Sequence, residues 1–128
     1  YVVLLRADHP VAQQARLTLR KMQSLDWIAV RSHTQTLQML RAANLDCKVT
    51  LTTSTFLALP DIVKNTDLAV LMPQQIAREF MPANRLKLLD FDLPSNDFTV
   101  SVHWSRRHAH SPLVRWSREV LLRLFQRD

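Results

Sequence analysis

A chain of 128 residues without a single glycine has few ways to turn. Tight turns that need a positive φ must be made by other residues, and asparagine and aspartate tolerate that region best. Asn44, Asn65, Asn84 and Asn96 lie between candidate elements and are the expected positions. The same absence removes whole classes of chemistry. A phosphate-cradling P-loop, a GxGxxG dinucleotide fingerprint and the GxSxG elbow of a serine hydrolase all require glycine.

Hydrophobic residues make up 47% of the chain, enough to bury a modest core in roughly one domain. "YVVLLR" reads as a buried strand ended by the turn "ADHP", where His9 is expected to bond the local backbone. Leu17 to Leu25 carries a short helical pattern, Trp27 to Arg31 a strand, and Thr34 to Leu45 a helix. "CKVTLT" alternates as a strand does. Phe56 to Val63 supplies a further helix that Pro60 should delay or kink. "LAVLM" is a strand too apolar to be half-exposed, and Pro73 fits the first helical turn ahead of "QQIAREF". "LKLLDF" and "FTVSVHW" read as strands, and the chain closes on the amphipathic helix "SPLVRWSREVLLRLFQ". Strands alternating with helices predict an α/β fold, a Rossmann-like parallel or mixed sheet flanked by helices.

In such sheets ligands bind beyond the carboxyl ends of strands, where loops and helix starts converge. Two segments qualify, "RSHTQT" and "TTSTF". Thr53, Ser54 and Thr55 are good N-cap residues at a helix start, where free N–H groups and the helix dipole favour an anion. Plain capping is the alternative reading. Phe56 fits against a ligand ring or in the core. Ser32, His33 and Thr34 form a candidate polar wall opposite, with His33 either sensing an acid or acting as an ordinary capping or surface histidine.

Other constellations are weaker. His108 and His110 are spaced i, i+2, which matches no strong zinc pattern, and Cys47 is the single cysteine. Neither a metal nor another cofactor is expected. Nothing in the chain groups a nucleophile with its base, so no enzyme is expected either. Trp27, Trp104 and Trp116 sit on apolar patterns and read as core or interface anchors. No apolar run approaches the roughly 20 residues that span a bilayer, so no membrane partner is expected. A lone cysteine fits a reducing cytoplasm. Charge is uneven: residues 101–128 hold 6 Lys/Arg against 2 Asp/Glu, while residues 1–100 hold 11 against 9. A basic end fits nucleic acid, an acidic partner or simply a solvated helix face.

The motifs, taken in order, resemble the effector-binding domain of LysR-type transcriptional regulators. "VVLLRADHPVA" resembles the strand and turn that open that domain's second subdomain, and "LTLRKM" the short helix that follows. "IVKNTDLAVLMPQQIA" is similar to its helix, break, strand and proline-led helix, with Asn65-Thr66-Asp67 where most members carry glycine. This "TDL…P" wording resembles the NodD-like and NahR-like branch. "VSVHWSRRHAHSPLVRWSREVL" is similar to the closing strand and helix.

The resemblance implies a type 2 periplasmic-binding-protein-like fold of two α/β subdomains with a ligand cleft between them. Residues 1–97 would be subdomain two, and residues 98–128 a return strand and helix of subdomain one. The DNA-binding helix-turn-helix and the first half of subdomain one would be missing, so that the chain is a fragment. It further implies a small-molecule effector, such as an organic or aromatic acid, with contacts at the Thr53–Phe56 turn. Self-association as a homodimer or tetramer, DNA contact only through the missing head, and a cytoplasmic location follow from the same likeness. A solute-binding protein of this fold serving transport is the alternative, and a nucleic-acid module built on the basic final helix is a third.

Overall fold

The direction of the first strand decides the architecture. In the computed structural model, which describes residues 1–81, 85–93 and 99–125, Val2–Arg6 forms β1. It is followed by β2 (Arg16–Leu17), α1 (Leu19–Gln23), β3 (Asp26–Val30), α2 (Thr34–Ala42) and β4 (Lys48–Thr53). Then come α3 (Leu59–Lys64), β5 (Leu68–Met72), α4 (Gln74–Phe80), β6 (Leu86–Phe91) and α5 (Pro112–Phe125). The chain divides into two compact units, Tyr1–Asp97 and Phe98–Asp128.

In the first unit the described strands form one sheet in the order β2-β6-β1-β5-β3-β4. β3 runs parallel to both β4 and β5, and β2 parallel to β6, whereas β1 is antiparallel to both its neighbours. The sheet is therefore mixed, with one reversed strand near its centre. Successive side chains of a strand point to opposite faces, and here both faces are covered. Val3, Leu5, Trp27 and Leu71 face Met22 of α1 and Leu40 of α2 in one core cluster. Val2, Leu4, Ile28 and Val70 face Leu59 and Val63 of α3 and Ala77 of α4 in the other. This explains why β5, and β1 and β3 apart from the terminal Arg6 and Asp26, are apolar without interruption. Their alternation divides residues between two cores, where full burial of an aliphatic side chain contributes about 1.5–3 kcal/mol.

Turns show how the chain manages without glycine. Asn44 takes φ 57° just beyond α2. The Leu45 N–H donates to the Leu40 carbonyl at 2.9 Å and the Asn44 N–H to that of Arg41 at 2.9 Å. This is a Schellman closure, with Leu40 and Leu45 buried in the same cluster beneath it. Asn44→Ala is expected to cost about 1 kcal/mol, because alanine has no easy access to the left-handed region; urea unfolding measures it, and Asn44→Gly should be close to neutral. Asn65 does not fill the expected role: it lies at φ −105° as the C-cap of α3, and its side-chain amide donates to the Asp61 carbonyl at 2.8 Å. Arg85 takes φ 62° instead, and its carbonyl accepts the Ala7 N–H at 2.6 Å, fixing the entry to β6. Asn84 and Asn96 lie outside the described residues.

His9 closes the turn after β1. It is buried, its Nδ1 accepts the Val11 N–H at 3.2 Å, and its Nε2 lies 3.2 Å from the Asp67 carbonyl oxygen. Arg6 Nε donates to Asp67 at 2.7 Å, so this turn is tied to the start of β5 twice. The short helices also depart in detail from the sequence reading. Leu17 belongs to β2, so α1 begins only at Leu19, capped by Thr18. α3 starts late, at Leu59, with Pro60 in its first turn, as the proline requires. Pro73 stands at the N-cap of α4 rather than inside it.

The second unit holds a 3-10 turn at Arg106–His108, capped by Ser105 Oγ, and the helix α5. The strand expected at "FTVSVHW" is absent from residues 99–104, while Phe98 lies outside the described residues. A strand needs a neighbour for its backbone N–H and C=O groups, and this unit offers none among the described residues. No described residue of α5 is buried; Leu113, Trp116 and Leu124 are 68%, 61% and 61% exposed. Of the three tryptophans, Trp27 is core, whereas Trp104 and Trp116 are exposed within this unit. Trp104 carries the Arg118 guanidinium 5.0 Å from its ring centroid.

Candidate functional site

β3 and β4 end in register, with Ala29 beside Thr52 and Val30 beside Thr53. The segments that follow them therefore emerge side by side from one end of the sheet. After β3 comes a 3-10 turn, Arg31–His33, and then α2. After β4 comes the threonine-rich turn that leads to α3. This register brings two of the predicted residues into contact: the rings of His33 and Phe56 meet edge-to-face, with centroids 4.8 Å apart and planes at 73°.

A third ring joins them through the reversal of β1. Because that strand is antiparallel to β5, its first residues lie at the end of the sheet where β3, β4 and β5 finish. Tyr1 reaches His33 there, edge-to-face at 6.5 Å and 83°. Sequence reasoning did not find Tyr1. An all-parallel sheet would have put the start of β1 at the opposite end, and no local signal in "YVVLL" reports strand direction.

His33 is the hinge of this group. Ser32 Oγ lies 3.0 Å from its Nδ1, and its carbonyl accepts the Thr36 hydroxyl at 2.7 Å, which pins the start of α2. Burial between the rings holds the imidazole below its ordinary value, and burial likewise raises the Tyr1 phenol. Burial thus favours the uncharged imidazole, an aromatic edge with one donor nitrogen. Thr34, the first residue of α2, is exposed.

The threonine turn works differently from the sequence expectation. Thr53, Ser54 and Thr55 do not cap a helix, because α3 begins at Leu59 and has no side-chain cap. The Thr53 hydroxyl instead accepts the Thr55 N–H at 3.3 Å and donates to the Thr55 carbonyl at 3.2 Å, and Thr55 Oγ1 accepts the Leu57 N–H at 3.2 Å. These short side-chain-to-backbone loops are what Ser and Thr make in preference to helix. They set the path of the turn and hence the position of Phe56. The anion seat expected from a helix start is therefore not formed at this turn, while Ser54 is exposed.

Elsewhere the chemistry is quiet. Among the described residues no group of three or more His, Cys, Asp or Glu gathers as a metal site would require. Burial, with a smaller contribution from Asp46, raises the Cys47 thiol, against a smaller lowering from the neighbouring Trp27 indole. Such a thiol is a poor nucleophile. No helix of the described residues is long and apolar enough to cross a membrane.

A family model described as the LysR substrate binding domain matches residues 1–126. The chain belongs to this family. Nodulation protein D 2 of Bradyrhizobium sp. (strain NC92) is 30% identical to this LysR domain over 112 residues, covering 84% of the chain and 33% of that protein. The chain therefore spans about a third of this curated relative. Among solved structures, the regulatory domain of MexT, a transcriptional activator of Pseudomonas aeruginosa, superposes with a TM-score of 0.77 at 22% identity, covering 94% of the chain and 59% of the other. The effector binding domain of QuiR in complex with shikimate gives 0.70 at 17% identity, covering 96% and 59%. At these identities the structures establish the fold of LysR regulatory domains. The family match and the nodulation relative establish a LysR substrate-binding domain as found in transcriptional regulators.

Proposed function

We propose that this LysR domain senses a small organic acid, aromatic or cyclic, on behalf of a DNA-binding transcriptional regulator. The turns carrying Ser32, His33, Thr34 and Thr53, Ser54, Thr55, Phe56, together with Tyr1, would form one wall of the effector site. The observation that carries this reading is the three-ring group at the carboxyl ends of β3 and β4, with His33 and Phe56 at 4.8 Å and the Ser32 hydroxyl 3.0 Å from the His33 ring. A planar ligand ring meets aromatic edges and faces there, while hydroxyls and the His33 nitrogen supply hydrogen bonds. The effector-binding domain of QuiR, which shares this fold, is recorded in complex with shikimate.

Residues 1–97 would act as the second subdomain and residues 98–128 as part of the first. The lack of any buried described residue in α5 supports that division. The domain acts by binding rather than turnover, in the cytoplasm, within a regulator that self-associates. DNA contact falls to a helix-turn-helix head that these residues do not include. An effector shifts such a regulator only if it binds one arrangement of the subdomains more tightly than the other.

The test is Thr53→Val combined with Thr55→Val in the intact regulator. The loss of these side-chain-to-backbone bonds, each worth about 1 kcal/mol, should raise the effector concentration for half-maximal reporter output by roughly fivefold or more, with operator binding unchanged. An unchanged dose response removes this turn from the site.

A further inference from the structure

Three side chains pack around His33, and none of them is acidic. Tyr1 comes from β1, Phe56 from the turn after β4, and Ser32 from its own turn. The titratable and charged groups nearby are the phenol and the α-amino group of Tyr1 and, two residues back in the same 3-10 turn, Arg31, whose side chain is exposed. Burial is the cause that lowers the imidazole, with no carboxylate acting against it. A histidine next to an Asp or Glu would already have its partner. This one meets aromatic rings and a hydroxyl, and among the described residues its Nε2 has no hydrogen-bond partner.

Building on the effector-site reading above, we propose that His33 is the specificity-determining residue of this site: it selects a ring-bearing carboxylate over its neutral counterpart by taking up a proton when the acid binds. The Ser32 hydroxyl fixes the ring through Nδ1 and accepts from it when the imidazole is charged, while Tyr1 and Phe56 hold its edges. Nε2–H then donates to the ligand carboxylate. The proton comes from solvent, and no covalent bond is made or broken. The sign follows directly. In the free domain burial disfavours the imidazolium, and a bound carboxylate favours it, so binding of the acid and of the proton reinforce each other. Affinity for the anion must rise as the pH falls toward and below the ordinary histidine range. A neutral ligand shows no such rise.

Benzoate and benzamide, matched in shape and different in charge, are suitable probes. Each would be titrated into the 128-residue chain and followed by amide chemical shifts at about pH 7.5 and about pH 5.5, a range that spans the histidine titration. The expected result is that benzoate moves the amides of residues 32–34 and 53–56 and binds roughly fivefold tighter at the lower pH, the difference between a neutral and a charge-assisted hydrogen bond. Benzamide should bind equally at both. His33→Gln, which keeps a donor, and His33→Phe, which keeps the ring, should each abolish the pH dependence; a well-dispersed spectrum shows that they fold. Benzoate binding at these turns with equal affinity at both pH values overturns the role of His33 and leaves the effector-site reading intact. pH dependence that survives in either variant does the same. Failure of benzoate to move these amides at either pH also overturns it, whereas the effector-site reading stands or falls on the reporter response of the threonine variants.

Discussion

Trp27→Ala is expected to lower the stability of the first unit by about 3–5 kcal/mol, a large part of the roughly 5–15 kcal/mol that holds a domain of this size folded. Trp27 is 1% exposed and heads the fully buried side chains by volume. It lies on β3 between α1 and α2, in the cluster with Met22, Leu25, Leu40 and Leu71. Its indole N–H donates to the Met22 carbonyl at 3.0 Å, so truncation opens a cavity and also removes that bond, leaving the carbonyl with the Leu25 N–H at 3.3 Å. Trp27→Phe separates the two costs, since it fills most of the space and loses the bond; about 1–2 kcal/mol of the total should remain. Urea unfolding followed by far-ultraviolet circular dichroism reads both variants. A loss below about 1 kcal/mol for the alanine variant would mean that β3 is not the centre of this core.

Phe56→Ala in the intact regulator is expected to raise the effector concentration for half-maximal response by roughly tenfold, the value of one aromatic contact plus its buried area. Phe56 is half-buried, packs beside the α3 core and meets His33 edge-to-face. Two roles are therefore open to it, and the experiment separates them. A ring that contacts the ligand shifts the dose response more than it lowers the melting temperature. A ring that only fills space lowers the melting temperature and leaves the dose response where it was. Phe56→Leu, which keeps much of the volume, should recover stability and leave most of the response defect.

The fold was legible wherever local pattern and tertiary packing agree. The apolar runs of β1, β3, β5 and β6, and the delay that Pro60 imposes on α3, could be read directly. Direction was not legible. Nothing in "VVLL" distinguishes a strand running with its neighbours from one running against them, and that reversal places Tyr1 at the candidate site. Hydroxyl residues before a helix were ambiguous for a related reason: Thr53 and Thr55 can cap a helix or loop onto nearby backbone, and a helix starting at Leu59 leaves them only the second option. The alternating residues 99–104 have strand character but no partner in their unit. Propensity alone does not make a sheet.

The reversed central strand also sets a timetable. β1 leaves the ribosome before β5 and β6, yet Val3 pairs with Leu71 on one side and Leu89 on the other. Neither partner exists until most of the first unit has been made, which takes on the order of several seconds at cellular rates of synthesis. Until then Val2 to Leu5 is an apolar segment with an open backbone edge on both sides. Nonlocal pairing of this kind slows folding and leaves nascent chains prone to association. Shielding of β1 during that interval is therefore a requirement separate from the stability of the finished sheet.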